Sequence, residues 1–272
     1  MLSLISLLYL LTGTVAGLLA GLFGIGGGLV IVPLLIFVFS FDPTGFHPDR
    51  VSHVAIASSL ATICFTSIAS ARQHIIQSPI DWRDVQWLVP GLLVGAVLGA
   101  LIAGQLDGKT LSIAIGVFAI LTALQMSLHR IKEEQVMRYA GPRLLPIGCT
   151  IGVASSIFGV GGGSITVPFL SWAGRSIHQA IATSAACTVP IAFAATLTYA
   201  LLTDPSYDQP FSTGYIYWPA VLAIVLTSVP SAWVGARAAK KLPPVLLKRL
   251  FAGYLLIISI YLIGPAYAPA LY

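Results

Sequence analysis

Residues Gly17 to Leu35 read GLLAGLFGIGGGLVIVPLL, and residues Gly152 to Leu170, 135 positions later, read GVASSIFGVGGGSITVPFL. Both stretches contain a phenylalanine, a cluster of glycines and a Val-Pro pair at matching positions. Glycine destabilises a helix by roughly 1 kcal/mol relative to alanine, so a cluster that is built twice in apolar sequence argues for a purpose. The repeat predicts two broken helices in a duplicated membrane protein, an arrangement in which transport sites are common.

The composition predicts an all-α polytopic membrane protein. The chain is 57% hydrophobic and 8% charged, whereas soluble domains carry about 25% charged residues. Its nine carboxylates fall between the apolar runs, so we expect membrane spans without Asp or Glu. The runs long enough to cross a bilayer as helices are 53–71, 85–104, 110–128, 179–202, 214–236 and 245–264. Two further apolar segments, 2–39 and 144–171, contain the glycine clusters.

The distribution of Lys and Arg predicts that each glycine-bearing segment enters and leaves the membrane on one side. Short cytoplasmic loops collect positive charge. If each glycine-bearing segment crossed once, the positive residues would divide six to eight, which is no bias. If each forms a hairpin with the glycines at its tip, twelve share one side against only Arg50 and Lys109. The arm from Ser164 to Ala173 is also about 15 Å of helix, half of a bilayer core.

One hairpin and three spans per half make an odd number of crossings, so the second half would enter from the opposite face. The sequence therefore predicts two inverted repeats, 1–128 and 144–272, joined by a basic cytoplasmic linker at 129–143, with both termini outside. Each repeat would be a glycine-tipped re-entrant hairpin followed by three transmembrane helices. Inverted repeats commonly place such hairpins tip to tip near the midplane, around the substrate site.

A second motif follows each glycine cluster. Arg50-Val-Ser-His53 leads into VAIASS, and Arg175-Ser-Ile-His178 leads into QAIATS, at an offset of 125 residues. The small residues either pack closely against a neighbouring helix or present hydroxyls inward. Because the motif occurs twice, we favour a functional role for its paired hydroxyls.

These motifs resemble the TauE/SafE family of sulfite-exporter-like membrane permeases, over nearly the whole chain. The residues that carry the resemblance are FGIGGG with its following Val-Pro (Phe23 to Pro33), FGVGGG with Val-Pro (Phe158 to Pro168), and the two histidine motifs. The resemblance implies transport of a small oxidised-sulfur anion, such as sulfite, thiosulfate or an organosulfonate, across the bacterial inner membrane. Because substrate and direction vary among members, neither carries over directly.

The chemistry of the glycine clusters also suits an anion. Glycines expose backbone N–H groups, and the helix that follows each cluster presents the positive end of its dipole, so an oxyanion fits there. The candidate substrate-binding residues are Gly24, Gly26, Gly27, Gly28, Ser58, Ser59, Gly159, Gly161, Gly162, Gly163, Ser164, Thr183 and Ser184.

Four further residues are assigned to the two vestibules. Arg50 and His53 would lie at one mouth of the protein and Arg175 and His178 at the other, where the arginines steer anions or simply snorkel to the interface. Without carboxylates in the spans, the histidines alone would titrate near neutral pH. An inside-negative potential of about 100 mV favours loss of a divalent anion by roughly 4.6 kcal/mol, so export needs no further coupling.

Other classes of protein remain open at this point. The alternatives are an importer of the same anions and a non-transporting membrane subunit or scaffold. A dinucleotide site fails because the glycines lie in apolar membrane sequence, and an intramembrane serine hydrolase lacks a defined Ser-His pair. We therefore expect no enzyme activity, catalytic residue, metal or cofactor. The expected partners are the anion and the lipid bilayer, with no nucleic acid, and a homodimer is left open.

Overall fold

The computed structural model describes residues 2–23, 27–40, 46–77, 80–128, 141–202, 209–239 and 244–267, and these are almost entirely helical. The helices are α1 Leu2–Phe23, α2 Gly28–Ser40, α3 Pro48–Gln77, α4 Trp82–Gln105, α5 Gly108–Leu128, α6 Leu144–Ile157, α7 Gly163–Trp172, α8 Ile177–Leu201, α9 Trp218–Ala239 and α10 Pro244–Tyr267. A short 3₁₀ turn, Gly141–Arg143, precedes α6, and two antiparallel strands, β1 Ser212–Thr213 and β2 Ile216–Tyr217, precede α9. The chain is a helical membrane protein, as its composition predicts.

Five described helices contain segments long and apolar enough to cross a bilayer. They are Pro48–Ile68, Trp82–Gln105, Gly108–Gln125, Gln179–Leu201 and Trp218–Gly235. These segments correspond to five of the six simple spans that the sequence predicts. The sixth predicted span lies within α10, whose described apolar stretch is Ala252–Gly264.

The predicted spans need two corrections. The span that we placed at 214–236 begins only at Trp218, because the residues before it form the β1–β2 hairpin. The span that we placed at 85–104 begins at Trp82, because the Asp81 carboxylate caps the helix by accepting the N–H groups of the following turn. α4 therefore includes Asp84, which is 2% exposed, and the segment Pro48–Ile68 of α3 includes the exposed Asp49, so the expectation of spans without carboxylates is wrong for both.

Glycines bring α4 and α6 into backbone contact. A Cβ atom at Gly91, Gly95 or Gly99 would collide with backbone carbonyls of α6, at Leu145, Cys149 and Val153 respectively. The contacts advance along both helices together, so α4 and α6 run parallel. Spacing of small residues by four is a common way to bring membrane helices close together.

The helix contacts of the first half recur in the second. α1 packs on α9 as α6 packs on α4, and α2 packs on α3 as α7 packs on α8. Two further pairs, α3 with α8 and α5 with α10, join corresponding helices of the two halves. For these contacts, each helix in α1–α5 therefore packs on the same partners as its counterpart in α6–α10, with the two halves interchanged.

α6 and α7 begin and end at the same end of α4. α6 starts beside the first turns of α4, where Gly148 packs against the Leu88 carbonyl. α7 ends at Trp172, three residues before Arg175, and the Arg175 guanidinium binds Asp84 in the first turn of α4. The intervening break, residues 158–162, lies beside the middle of the α3 segment Pro48–Ile68, where Gly159 contacts Ile56 and Gly161 contacts Ile63.

Candidate functional site

The two glycine clusters meet in the interior of the protein. A Cβ atom at Gly28 would lie 2.6 Å from the Gly159 carbonyl oxygen and 2.8 Å from the Val160 Cα. At Gly159 it would lie 2.6 Å from Val32 Cγ2, in the first turns of α2. The glycines therefore allow the backbones of the two breaks to touch. Gly24 and Gly26 lie outside the described residues.

Each break ends in a left-handed glycine that starts the following helix. Gly27 has φ +79° and Gly162 has φ +82°, a conformation that side chains rarely tolerate. The Gly27 carbonyl accepts the N–H groups of Val30 and Ile31, and the Gly162 carbonyl accepts those of Ile165 and Thr166. Among the described residues, the N–H groups of Gly163 and Ser164 have no backbone acceptor, as expected at the first turn of α7.

Two of the predicted hydroxyls make matching hydrogen bonds between the halves. Ser58 Oγ of α3 accepts the N–H of Tyr217, 3.0 Å away, and Thr183 Oγ1 of α8 accepts the N–H of Asp81, 3.2 Å away. Each donor immediately precedes the tryptophan that starts a helix, Trp218 or Trp82. In this form, Ser58 and Thr183 hold segments of the opposite half.

The other two predicted hydroxyls differ from each other. Ser59 Oγ donates to the Gly159 carbonyl, 3.1 Å away, and so joins α3 to the second break. Ser184 Oγ is buried and has no hydrogen-bond partner among the described residues.

His53 is buried and contacts the C-terminal end of α4. Its Nε2 lies 3.1 Å from the Ala103 carbonyl and 3.0 Å from the Leu106 carbonyl. Since both neighbours are acceptors, Nε2 carries the proton, and among the described residues Nδ1 has no hydrogen-bond partner. The ring stacks on Tyr215 of the hairpin before α9, with centroids 5.2 Å apart.

Arg175 is held by two carboxylates at the start of α4. Its Nε and Nη2 donate to the two oxygens of Asp84 at 2.6 and 2.8 Å, and Nη2 also lies 3.3 Å from Asp81 Oδ2. The hydrogen bonds that Arg175 donates to Asp84 raise the pKa of its guanidinium group, so it stays charged. Because these carboxylates offset its charge locally, its steering of anions stays a prediction.

Arg50 lies in the first turn of α3, at the other end of the bundle from Arg175. Ser52 Oγ donates to the Gly108 carbonyl at 3.0 Å, which places Arg50 beside the start of α5. The side chain of His178 lies outside the described part of the structure. The vestibule roles of both residues stay predictions.

A cleft of about 360 Å³ reaches the second break from the side of α5. Its polar lining is uncharged, with Ser164, Thr122, Thr150 and Gln125, and aromatic rings supply much of the rest. One lining residue is Ser164, in the first turn of α7. The cleft thus contacts one of the predicted site residues.

Sequence reasoning missed three hydroxyls at the second break. Ser155, Ser156 and Thr166 are buried, and their side-chain oxygens have no hydrogen-bond partner among the described residues. They could have been found by comparing the two repeats, because the first repeat has apolar residues or glycine at the matching positions. In the described part of the chain, no group of three or more His, Cys, Asp or Glu side chains could hold a metal ion.

The sequence profile described as "Sulfite exporter TauE/SafE" matches residues 9–262. The chain belongs to the TauE/SafE family. It is 38% identical to a "Probable membrane transporter protein" of Haemophilus influenzae over 258 residues, 93% of this chain and 96% of the relative. It is 26% identical to "Probable membrane transporter protein MJ0441" of Methanocaldococcus jannaschii, over 94% of both chains. No solved structure gives a significant match.

The resemblance predicted from the motifs is therefore confirmed. A TauE/SafE protein is a membrane transporter by family, which implies a small-molecule substrate and a lipid environment. The names of the relatives do not specify a substrate.

Proposed function

We propose that this TauE/SafE protein is a permease of the bacterial inner membrane that exports a small sulfur-containing anion, such as sulfite, thiosulfate or an organosulfonate. The contact between Gly28 and Gly159 carries the proposal, because it brings two helix breaks together inside a membrane protein. Near this contact, among the described residues, the N–H groups of Gly163 and Ser164 have no backbone acceptor, and the hydroxyls of Ser155 and Thr166 have no hydrogen-bond partner. Such donors, at the positive end of a helix dipole, suit an oxyanion.

The proposal includes two inverted repeats, 1–128 and 144–272, joined by the linker 129–143, most of which lies outside the described residues. The helix packing supports this arrangement, because the main contacts made by helices of the first half recur for the corresponding helices of the second. The ion pair between Asp81 and Arg175 puts Arg83 and Arg175 at one end of the bundle, and the bond between Ser52 and Gly108 puts Arg50 and Lys109 at the other. The hairpin topology behind the twelve-to-two charge count also requires Arg83 and Arg175 on one side of the membrane and Arg50 and Lys109 on the other.

The topology predicts which positions an impermeant thiol reagent reaches in intact cells. Single cysteines replacing Arg138 and Ala239 should be shielded from the reagent, and one replacing Tyr207 should be labelled. All three would become reactive in opened membranes, which controls for burial. Labelling of position 239 from outside would contradict the inverted repeat.

Direction follows from the charge of the substrate. An inside-negative potential drives a divalent anion outward, with roughly 4.6 kcal/mol available at 100 mV. The carboxylate that α4 contains, Asp84, is bound to Arg175 and so is not free to relay protons in this form. These features support export driven by the potential without a proton relay.

The direct test is flux through liposomes that contain only the purified protein. We expect efflux of labelled sulfite to accelerate when a potassium gradient with valinomycin makes the interior negative, and to change little under a pH gradient at zero potential. Thiosulfate and organosulfonates complete the panel. Accumulation driven by the pH gradient would favour an importer, and absence of flux for the whole panel would favour a non-transporting membrane subunit.

A further inference from the structure

The sequence flanking the second helix break carries hydroxyls where the sequence flanking the first carries apolar residues. Around the second break, Ser155, Ser164 and Thr166 have side-chain oxygens that are buried and without hydrogen-bond partners among the described residues. Residues 135 positions earlier are Ala20, Leu29 and Ile31. The glycines are thus present in both repeats, but these hydroxyls are present only in the second.

Each break has a left-handed glycine at the matching position, Gly27 or Gly162. A Cβ atom at Gly162 would lie 3.3 Å from Ser155 Oγ and 3.7 Å from Thr166 Oγ1. A Cβ atom at Gly27 would lie 3.3 Å from Ala20 Cβ and 3.5 Å from Ile31 Cδ1. Matching positions therefore face matching glycines, with hydroxyls in one case and hydrocarbon in the other.

The hydroxyls of Ser155 and Thr166 are almost completely buried. Ser155 is 0% exposed and Thr166 is 1% exposed. A buried hydroxyl without a partner destabilises a protein, so a pair of them beside one glycine indicates groups that a ligand completes. The N-terminus of the ten-residue helix α7 lies at the same place, and its dipole favours an anion over a cation.

We propose that the transported anion binds at the second break alone, where the hydroxyls of Ser155 and Thr166 and the first N–H groups of α7 donate to its oxygens. In this proposal the first break binds no anion and serves only to pack helices together, so the protein holds one anion at a time. This inference rests on the proposed function and narrows it from two glycine tips to one.

The proposed site is filled by protein atoms in this structure. A Cβ atom at Gly162 would lie 2.6 Å from Ile191 Cδ1, so the Ile191 side chain packs against Gly162 beside the hydroxyls. The cleft beside α5 includes Ser164, in the same first turn of α7, among its lining residues. Binding of an anion between the hydroxyls therefore requires the Ile191 side chain to move.

The test compares variants of the purified protein with sodium sulfite as the probe and sodium chloride at equal sodium as the reference. Ser155→Ala and Thr166→Val should each raise the KM for sulfite flux, and the Kd from sulfite-induced thermal stabilisation, by about tenfold or more. Without sulfite, the unfolding temperature should stay the same or rise, because each change removes an unpaired buried polar group. A purely structural hydroxyl would instead lower it.

Thr188→Val is the matched control. Thr188 is also buried beside the second break, with its methyl group facing Gly161, but its hydroxyl already donates to the Ser184 carbonyl at 2.9 Å. Its KM should match that of the wild type. Unchanged KM in both Ser155→Ala and Thr166→Val would overturn the one-sided site. Absence of any flux in the wild type would overturn the proposed function instead.

Discussion

Replacing Gly28 by valine is expected to abolish anion flux and to lower the unfolding temperature. The new Cβ would lie 2.6 Å from the Gly159 carbonyl oxygen, and its other neighbours include the Val160 Cα at 2.8 Å. Because these are backbone atoms, no side-chain rotation relieves the overlap, and the two breaks must separate. Overpacking of this kind costs typically about 1–3 kcal/mol, before any loss of the binding geometry. Flux and thermal unfolding of the variant measure both effects.

Gly253→Val controls for the substitution itself. Gly253 lies in α10, and a Cβ atom there would meet no atom of the described residues within 4 Å. This variant should retain flux and an unfolding temperature close to that of the wild type. If Gly28→Val behaved in the same way as Gly253→Val, the two breaks would not be in contact in the working protein.

Replacing Asp84 by asparagine is expected to destabilise the protein by about 1.5–3 kcal/mol, the usual range for a hydrogen bond to a charged group. The substitution removes a buried two-point contact to Arg175, which ties the end of α7 to the start of α4. The loss of stability should lie near the lower end of this range, because a quarter of the Arg175 side chain is exposed and Asp81 remains as its partner. Thermal unfolding in detergent measures this loss.

Asp49→Asn is the matched surface change. Asp49 faces His47 at 3.7 Å, and both side chains are about 70% exposed, so its loss should alter stability by less than about 0.5 kcal/mol. The double variant Asp84→Asn with Arg175→Gln should be less destabilised than the sum of the single variants, because no buried charge is left unpaired. Additive losses would mean that the two side chains do not interact.

The composition and the duplicated glycine motif predicted a helical membrane protein with two helix breaks near each other. Glycine clusters inside apolar sequence have few physical uses, and their repetition predicts a contact between the two breaks. The contact of Gly28 with Gly159 agrees with that expectation. The carboxylate in α4 was missed because the span was started at the first uncharged run, although Asp81 followed by Trp82 is a recognisable helix start.

The roles of individual hydroxyls could not be predicted from the sequence in the same way. Ser58 and Thr183 are held by N–H groups from distant segments, and these bonds depend on how the halves dock. Strand β2 was not predicted because its residues, Ile216–Tyr217, run directly into the apolar sequence of α9. Whether a hydroxyl such as Ser155 is paired is decided by packing and cannot be read from residue type.

The most direct test of the central claim is to locate the bound anion. Selenite is the heavier analogue of sulfite, and the anomalous X-ray scattering of selenium reports its position in crystals of the purified protein. For selenite that competes with sulfite in the flux assay, the account predicts a single selenium peak at the N-terminus of α7, within hydrogen-bonding distance of Ser155 and Thr166. A peak away from both helix breaks, in crystals of a protein that transports the anion, would contradict it.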